Sequence, residues 1–246
     1  MIEHREQNAI FKRLPAPVVG LLAPYLSSVS LEQGQIIVDS GQHVRNVIFP
    51  HSGVLSCVVE TIEGAGIQTA TIGRDGVFGG LHALDHKKSI NKVVVQVSCS
   101  ASAIDCGLLK VLALRHTDLR DLLVQYEQFN LAQVQQTAAC NAIHNIEQRT
   151  CKWLLRMHDL VGIDLPLTHD YLAQMIGVRR TSITTIAGGL QDHGLIKYSR
   201  GKLRLIDLEG IRESACECAD IIKNSYTELL GEPGLRINGD QAWPTP

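Results

Sequence analysis

Long hydrophobic runs are missing from this chain of 246 residues. No apolar stretch approaches the roughly 20 residues that a membrane-spanning helix needs, and Met1 to Phe11 is too charged for the hydrophobic region of a signal peptide. An excess of one charge is missing too, because 23 Lys and Arg residues oppose 25 Asp and Glu residues. We therefore expect a cytoplasmic globular protein rather than a membrane protein or a chain that is basic throughout.

The common catalytic motifs are also absent. The sequence contains no Gly-x-Ser-x-Gly elbow, no P-loop, no His-Glu-x-x-His motif and no dinucleotide-binding glycine fingerprint. The glycine-rich stretch from Gly73 to Gly80 lacks a following Lys-Ser/Thr pair, so tight β turns explain it better than phosphate binding. We expect no enzymatic activity, no catalytic residues and no cofactor.

The seven cysteines are odd in number and scattered, which argues against a disulfide framework. Five residues are candidates for soft metal ligands: Cys140, His144, Cys151, Cys216 and Cys218. Cys-x-Cys is tighter than the usual zinc spacing, and no cysteine precedes Cys57, as an N-terminal iron-sulfur site would require. We expect buried thiols and no metal, with a metal-responsive or redox-responsive sensor as the alternative.

The first half of the chain has the pattern of an all-β unit. From Leu31 to about Asp105, short β-branched runs alternate with glycine turns at the spacing of a sandwich or barrel, after a short helical stretch around Pro17 to Leu26. From Leu108 to Asn141 the periodicity becomes helical and predicts one long helix. Steps of four and three residues along it resemble a coiled-coil seam. The predicted dimerisation residues are Leu122, Tyr126, Phe129, Gln133, Gln136 and Cys140. The alternative is a helix packed only on its own β domain.

Two short helices joined by a glycine turn follow an amphipathic helix at Glu147 to Leu160. Thr168 is the predicted N-cap of the first short helix, and Gly177 stands where the chain must turn. This is helix-turn-helix geometry, in which the second helix enters the major groove of DNA by its N-terminus. After it, His193 to Leu205 predicts a β hairpin, or wing, with basic side chains along the phosphates.

The charge of this segment is one-sided. Between Gly177 and Leu205, six basic residues oppose Asp192 alone, giving +5, so the remainder of the chain carries −7. A solvated face without a partner mixes both signs, whereas a DNA-binding face does not. The predicted DNA-binding residues are Thr168, Arg179, Arg180, Thr181, Ser182, Thr184, Thr185, Lys197, Arg200, Lys202 and Arg204.

The order of these parts resembles the Crp/Fnr family of bacterial transcription factors, most specifically at 47–53, 72–77, 172–178 and the wing. The resemblance implies an α+β fold: an N-terminal antiparallel β-roll like cyclic-nucleotide-binding domains at 1–107, and a dimerisation helix at 108–142. It further implies a winged helix-turn-helix domain at 143–222 and a C-terminal extension at 223–246, with the loosely held tail beginning near Gly231. Its implied partners are a second copy of the chain, a palindromic DNA operator and RNA polymerase.

The sequence departs from the family pattern at two places, one in the predicted effector-binding region and one in the predicted recognition helix. Gly80 stands where the cyclic-nucleotide cassette has glutamate, and Ile90 stands near its arginine, so we expect no ordinary cyclic-AMP binding. The candidate effector-binding residues are Gly79, Gly80, Leu81 and Asn91. In the recognition helix, Thr181 and Thr185 replace the family's Glu and second Arg, so the operator should differ. A sensor dimer that acts chiefly through protein partners is the alternative function.

Overall fold

The computed structural model describes residues 8–62, 66–85, 88–199 and 201–231. Seven antiparallel strands form the predicted β-roll as two sheets, one ordered β1-β7-β3 and the other β2-β6-β4-β5. Their bounds are Ser27–Leu31 (β1), Ile36–Val38 (β2), Asn46–Pro50 (β3), Val54–Glu60 (β4), Gly66–Ile72 (β5), Lys92–Val97 (β6) and Cys99–Asp105 (β7). The predicted β region is confirmed, and it begins four residues earlier than expected.

Short helices surround the roll. The chain enters through α1 (Ala9–Arg13) and α2 (Ala16–Leu22), which ends in a 3₁₀ turn at Ala23–Tyr25. The predicted helical stretch around Pro17 to Leu26 corresponds to α2 with its 3₁₀ turn. Helix α1 is a further helix, separated from α2 by Pro15 at the N-cap of α2. Helix α3 (Gly80–Asp85) lies between β5 and β6.

The predicted long helix is interrupted. It consists of α4 (Cys106–Arg115) and α5 (Thr117–Ile143), because His116 has extended backbone angles of φ −127° and ψ 97°. Neither proline nor glycine marks this break. Packing produces it: α4 buries Leu109 and Ala113 beside the roll, and α5 then runs in a new direction, burying Leu119 and Leu123.

The C-terminal part is a winged helix-turn-helix domain. It consists of α6 (Ile146–Val161), β8 (Asp164–Leu165), α7 (His169–Ile176), α8 (Arg180–Asp192), β9 (Ile196–Ser199), β10 (Lys202–Leu205) and α9 (Leu208–Ser214). Asn145 and Gln148 form a capping box at the start of α6, and Gly162, at φ +92°, ends it where the sequence predicted.

A final helix, α10 (Cys218–Leu230), runs through the predicted boundary after residue 222 and packs on α5. The Tyr226 ring lies edge-on to Phe129, with centroids 4.9 Å apart, and its hydroxyl donates to the Asp75 carbonyl over 2.8 Å. Arg13 donates to the Leu230 carbonyl over 2.9 Å. The extension is thus anchored through Gly231, and the rest of the predicted tail lies outside the described residues. Within the described ranges, no helix is long and apolar enough to cross a bilayer.

Candidate nucleic-acid interface

The turn between α7 and α8 has the predicted geometry. The Thr168 hydroxyl caps α7 by accepting from the Tyr171 amide at 3.2 Å. Gly177 ends α7 in the left-handed region, at φ 73° and ψ 46°, and its amide donates to the Ala173 carbonyl over 2.9 Å. A left-handed residue at this position is what glycine tolerates best. The turn therefore follows directly from the local sequence.

Helix α8 is anchored on one side and open on the other. Ile183, Ala187 and Leu190 are buried, while Ile186 is half-buried. Five predicted DNA-binding residues on its first turns are exposed, and Ser182 is half-buried. The exposed five are Arg179, Arg180, Thr181, Thr184 and Thr185. A face of cations and hydroxyls is therefore presented at the helix N-terminus.

The recognition face contains a carboxylate that the sequence reasoning missed. Asp170 lies in the first turn of α7, and its Oδ1 is 3.3 Å from Arg180 Nε. Both side chains are about two-thirds exposed, so the pair is weak and can open. Thr184 contacts His169 Nδ1 at 3.2 Å, and the His169 ring stacks on Tyr198 with centroids 4.2 Å apart. Asp170 therefore orients Arg180, but the weak pair leaves the guanidinium free to exchange to another partner.

The wing is β9 and β10 joined to β8 in one antiparallel sheet. Leu203 and Leu205 point into the core, while Lys202 and Arg204 alternate with them on the exposed face, opposite Lys197 on β9. Arg204 forms a two-pronged pair with Asp164, at 2.6 and 2.7 Å. Hydrogen bonds from Arg204 lower the pKa of this carboxyl.

The net charge of the folded basic surface is therefore lower than the +5 counted from Gly177 to Leu205. Asp164 and Asp170 lie outside that segment in the sequence but pair with two of its cations. Arg179, Lys197 and Lys202 form no ion pair with any residue that the structure describes. Arg200, the remaining predicted phosphate ligand, lies outside the described residues.

The opposite side of the helix-turn-helix rests on the roll. Met175 accepts from the Ser56 hydroxyl at 3.7 Å, and the Trp153 indole donates to Gln68 over 2.6 Å. Arg156 forms an ion pair of 2.7 Å with Asp75 and donates to the Thr71 hydroxyl over 3.1 Å. Burial opposes the charge of Arg156, but Asp75 more than offsets this and raises its pKa. Strands β4 and β5 and the loop after β5 thus contact the helix-turn-helix domain through polar side chains.

The four candidate effector residues do not line either of two cavities formed by the described residues. Gly79 adopts φ +88° and precedes the buried Gly80, where an added β-carbon would lie 2.9 Å from Leu123 Cδ2. Leu81 is exposed, and the Asn91 carbonyl accepts from the Ser89 hydroxyl at 2.6 Å.

The residues of the predicted dimer seam are covered within one protomer. Leu122, Tyr126 and Phe129 belong to the core of the roll. Gln133 is 4% exposed and accepts from Thr71, Gln136 donates to the Cys218 sulfur over 3.0 Å, and Cys140 is buried. The steps of four and three therefore mark the face of α5 that packs on β5 and α10. A second stripe is exposed and consists of Val124, Leu131, Val134 and Ala138, at successive spacings of seven, three and four residues.

Four of the five candidate soft ligands come together. The ligand atoms of Cys140, His144, Cys216 and Cys218 all lie within 4.8 Å of one another. Cys151 is separate, in the core of the helix-turn-helix domain. Burial raises the pKa of the Cys216 thiol to about 12. The predicted burial holds for Cys140, Cys216 and Cys218. Their convergence with His144 is a feature that the Cys-x-Cys spacing alone does not favour.

The helix-turn-helix region matches a known domain. The sequence profile of the Crp-like helix-turn-helix domain matches residues 148–214. The chain is 32% identical over 104 residues to the transcriptional regulator SdrP of Thermus thermophilus, a match that spans 39% of this chain and about half (51%) of that protein. It is 24% identical over 215 residues to the global nitrogen regulator of a Synechocystis species, across 82% of this chain and 92% of that protein.

The whole architecture also has solved counterparts. A transcriptional regulator of the Crp/Fnr family from Eubacterium rectale has the same fold, with a TM-score of 0.67 and 17% identity over 85% of this chain and 98% of that chain. At 17% identity this similarity shows the fold of the chain. Residues 148–214 form a Crp-like helix-turn-helix domain, as the resemblance in this part of the sequence predicted.

Proposed function

We propose that this protein is a cytoplasmic homodimer that binds a palindromic DNA operator and regulates transcription without catalysing a reaction. The observation that carries the proposal is the exposed N-terminal face of α8. It presents Arg179 and Arg180 beside three threonines at the helix end that enters the major groove in this motif. Arginine can bond both acceptors of a guanine edge, and threonine can contact a thymine methyl or a base edge.

The wing supplies the contacts that do not depend on sequence. Lys197 and Lys202 point from the exposed face of the hairpin and are available to phosphates. When DNA binds, Arg204 has to leave its ion pair with Asp164 to contact a phosphate. Arg180 likewise has to leave its ion pair with Asp170 to contact a base. Because both pairs are exposed, these exchanges cost little. The two aspartates then disfavour binding in the wrong register by repelling phosphates.

The dimer in this proposal forms through the second stripe on α5. Leu131 is 57% exposed, Val124 40% and Val134 37%, and their spacings of seven and three residues fit a two-helix seam. Pairing along this stripe gives two recognition helices for half-sites about one helical turn apart. Contact with RNA polymerase belongs to the same proposal and is implied by the resemblance alone.

The effector that the β-roll would bind is a separate question from DNA binding. Lys92, which could replace the missing cassette arginine, pairs instead with Glu60 at 2.9 Å, and Ile90 is largely exposed. A nucleotide phosphate would therefore lack its charge-assisted fork there. We propose that the effector is not cyclic AMP bound in the ordinary way.

Selection of bound sequences from a random duplex pool with the full-length protein tests this function. We expect a palindromic site with an affinity about 10³-fold or more above random duplex. Arg180→Ala should remove the preference at one base pair of each half-site. Arg115→Ala is the matched control, because that arginine is exposed but lies at the end of α4, far along the chain from α7 and α8. Enrichment of no sequence, with partner proteins still bound, would instead support the sensor that acts through proteins.

A further inference from the structure

A cluster of soft ligand atoms joins two distant parts of the chain. Cys140 lies in the last turn of α5, and His144 follows that helix as its C-cap. Cys216 and Cys218 lie where the chain passes from α9 to α10. The three cysteines form a buried group of their own, apart from the two main cores. Three thiols and one imidazole thus converge at the junction of the long helix with the C-terminal extension.

The distances fit one tetrahedral ion. Sγ of Cys140 is 3.6 Å from Sγ of Cys216, and Sγ of Cys218 is 3.6 Å from Nδ1 of His144. Zn²⁺ binds sulfur at about 2.3 Å and nitrogen at about 2.0 Å, so the edges of its tetrahedron are about 3.5–3.8 Å. Since no two ligand atoms are further apart than 4.8 Å, the cluster has the size of a single-ion site. Iron-sulfur clusters bind several metal atoms and require a wider arrangement.

The surrounding residues support the ligands as they do in metal sites. Nε2 of His144 lies 3.2 Å from a carboxylate oxygen of Glu217, which leaves Nδ1 to face the sulfurs. A carboxylate on the outer nitrogen fixes the tautomer and orientation of a ligating histidine. Gln136 donates to the Cys218 sulfur over 3.0 Å, as a donor to a thiolate would.

Charge balance points to the same assignment. One Zn²⁺ with three thiolates and a neutral imidazole carries a net charge of −1. Burial lowers the pKa of the half-buried Arg149, whereas thiolates at Cys140 and Cys216 would raise it, and its Nε has no hydrogen-bond partner among the described residues. Its Nη2 donates to the Ile176 carbonyl, at the last residue of α7. Arg149 therefore connects the cluster to the helix-turn-helix.

We propose that Cys140, His144, Cys216 and Cys218 bind one Zn²⁺ per protomer as a closed structural site. Binding releases the three thiol protons to solvent and completes four-coordination, so no position remains for a substrate. The ion clamps the end of α5 to the start of α10. Through Arg149 it also fixes the C-terminal end of α7, and with it the orientation of the DNA-binding domain. The site does not depend on DNA binding, so either proposal can fail alone.

The test uses the full-length protein, prepared under reducing conditions, stripped with a chelator and titrated with Zn²⁺ or Co²⁺. We expect about one ion per protomer by elemental analysis. With Co²⁺ we expect the intense visible bands of tetrahedral coordination and a thiolate-to-metal charge-transfer band. A protein that takes up no ion, an iron-sulfur chromophore, or Co²⁺ bands of octahedral coordination would overturn the assignment.

Variants separate the four ligands from other thiols. Cys216→Ser and His144→Ala should each weaken Zn²⁺ binding at least 100-fold, whereas Cys151→Ser, a buried cysteine outside the cluster, should leave it unchanged. Glu217→Gln should weaken binding about 10-fold to 100-fold, because it removes the carboxylate behind His144. Cys218→His retains a ligand and should still bind, which keeps the test valid if a serine variant does not fold. Unchanged binding by a folded Cys216→Ser protein would refute the site.

Discussion

The two sides of the helix-turn-helix differ in how they are specified. The α8 side is exposed and basic, and its geometry comes from residues within one short segment. The side that faces β4, β5 and the loop after β5 is largely buried and polar. Its contacts join residues about 80 to 120 positions apart, such as Arg156 to Asp75 and Ser56 to Met175. The comparison teaches that the surface for DNA is local, whereas its placement on the roll is a tertiary property.

The buried side should respond most strongly to substitution. Arg156→Met leaves Asp75 without its cation, and loss of one partner from a buried pair costs about 3–5 kcal/mol. Because the Arg156 side chain remains 21% exposed, we expect about 2–4 kcal/mol. Chemical denaturation measures the change. The double variant with Asp75→Asn should recover part of the loss, and a fully additive double variant would show that the two residues do not interact.

The exposed side should affect recognition and leave stability unchanged. Arg180→Ala should cost about 1–3 kcal/mol in binding the selected operator and much less on random duplex. Fluorescence anisotropy with both duplexes measures this. Equal losses on the two duplexes would assign Arg180 to the phosphates instead.

Gly177 lies where the two sides meet, because it forms the turn before α8 and also lies close to Ile67 of β5. Gly177→Ala should destabilise the protein by about 1–2 kcal/mol, because a left-handed backbone is unfavourable for an L-residue. An added β-carbon would also lie 3.2 Å from Ile67 on β5. The exposed Gly188, with nothing within 4 Å of such a carbon, is the control, since Gly188→Ala should be neutral or stabilising. Thermal unfolding compares the two; equal effects would remove the special role of the turn.

The smallest effect is expected in the wing. Lys202→Ala should weaken binding to all duplexes alike and reduce the slope of log affinity against log salt by about one. A salt titration measures the slope. A change confined to the selected operator would mean that Lys202 reads bases.

The same comparison explains what could be predicted from the sequence. Thr168 and Gly177 act through neighbours along the chain, so the cap of α7 and the turn after it could be predicted. The ion pairs of Asp164 and Asp170 were not, because the charge count stopped at Gly177 and spatial neighbours lie outside it. The steps of four and three on α5 were recognised, but periodicity cannot distinguish a face that packs on its own roll from one that meets a partner.

The cysteine cluster shows the same limit. Cys140 with His144, and Cys216 with Cys218, are two weak local signals that become one site only when α10 packs back on α5. The break at His116 likewise has no local signal. Sequence reasoning therefore succeeded where one element carries the information and failed where two distant elements share it.

The most direct test of the central claim is the ratio of affinities for the selected operator and for a scrambled duplex of equal length, measured at one fixed salt concentration. Binding of base edges by the open face of α8 predicts a ratio of about 10³ or more for the wild-type protein, reduced at least tenfold by Arg180→Ala. A ratio near one for the wild-type protein, at any salt concentration that permits binding, would contradict it.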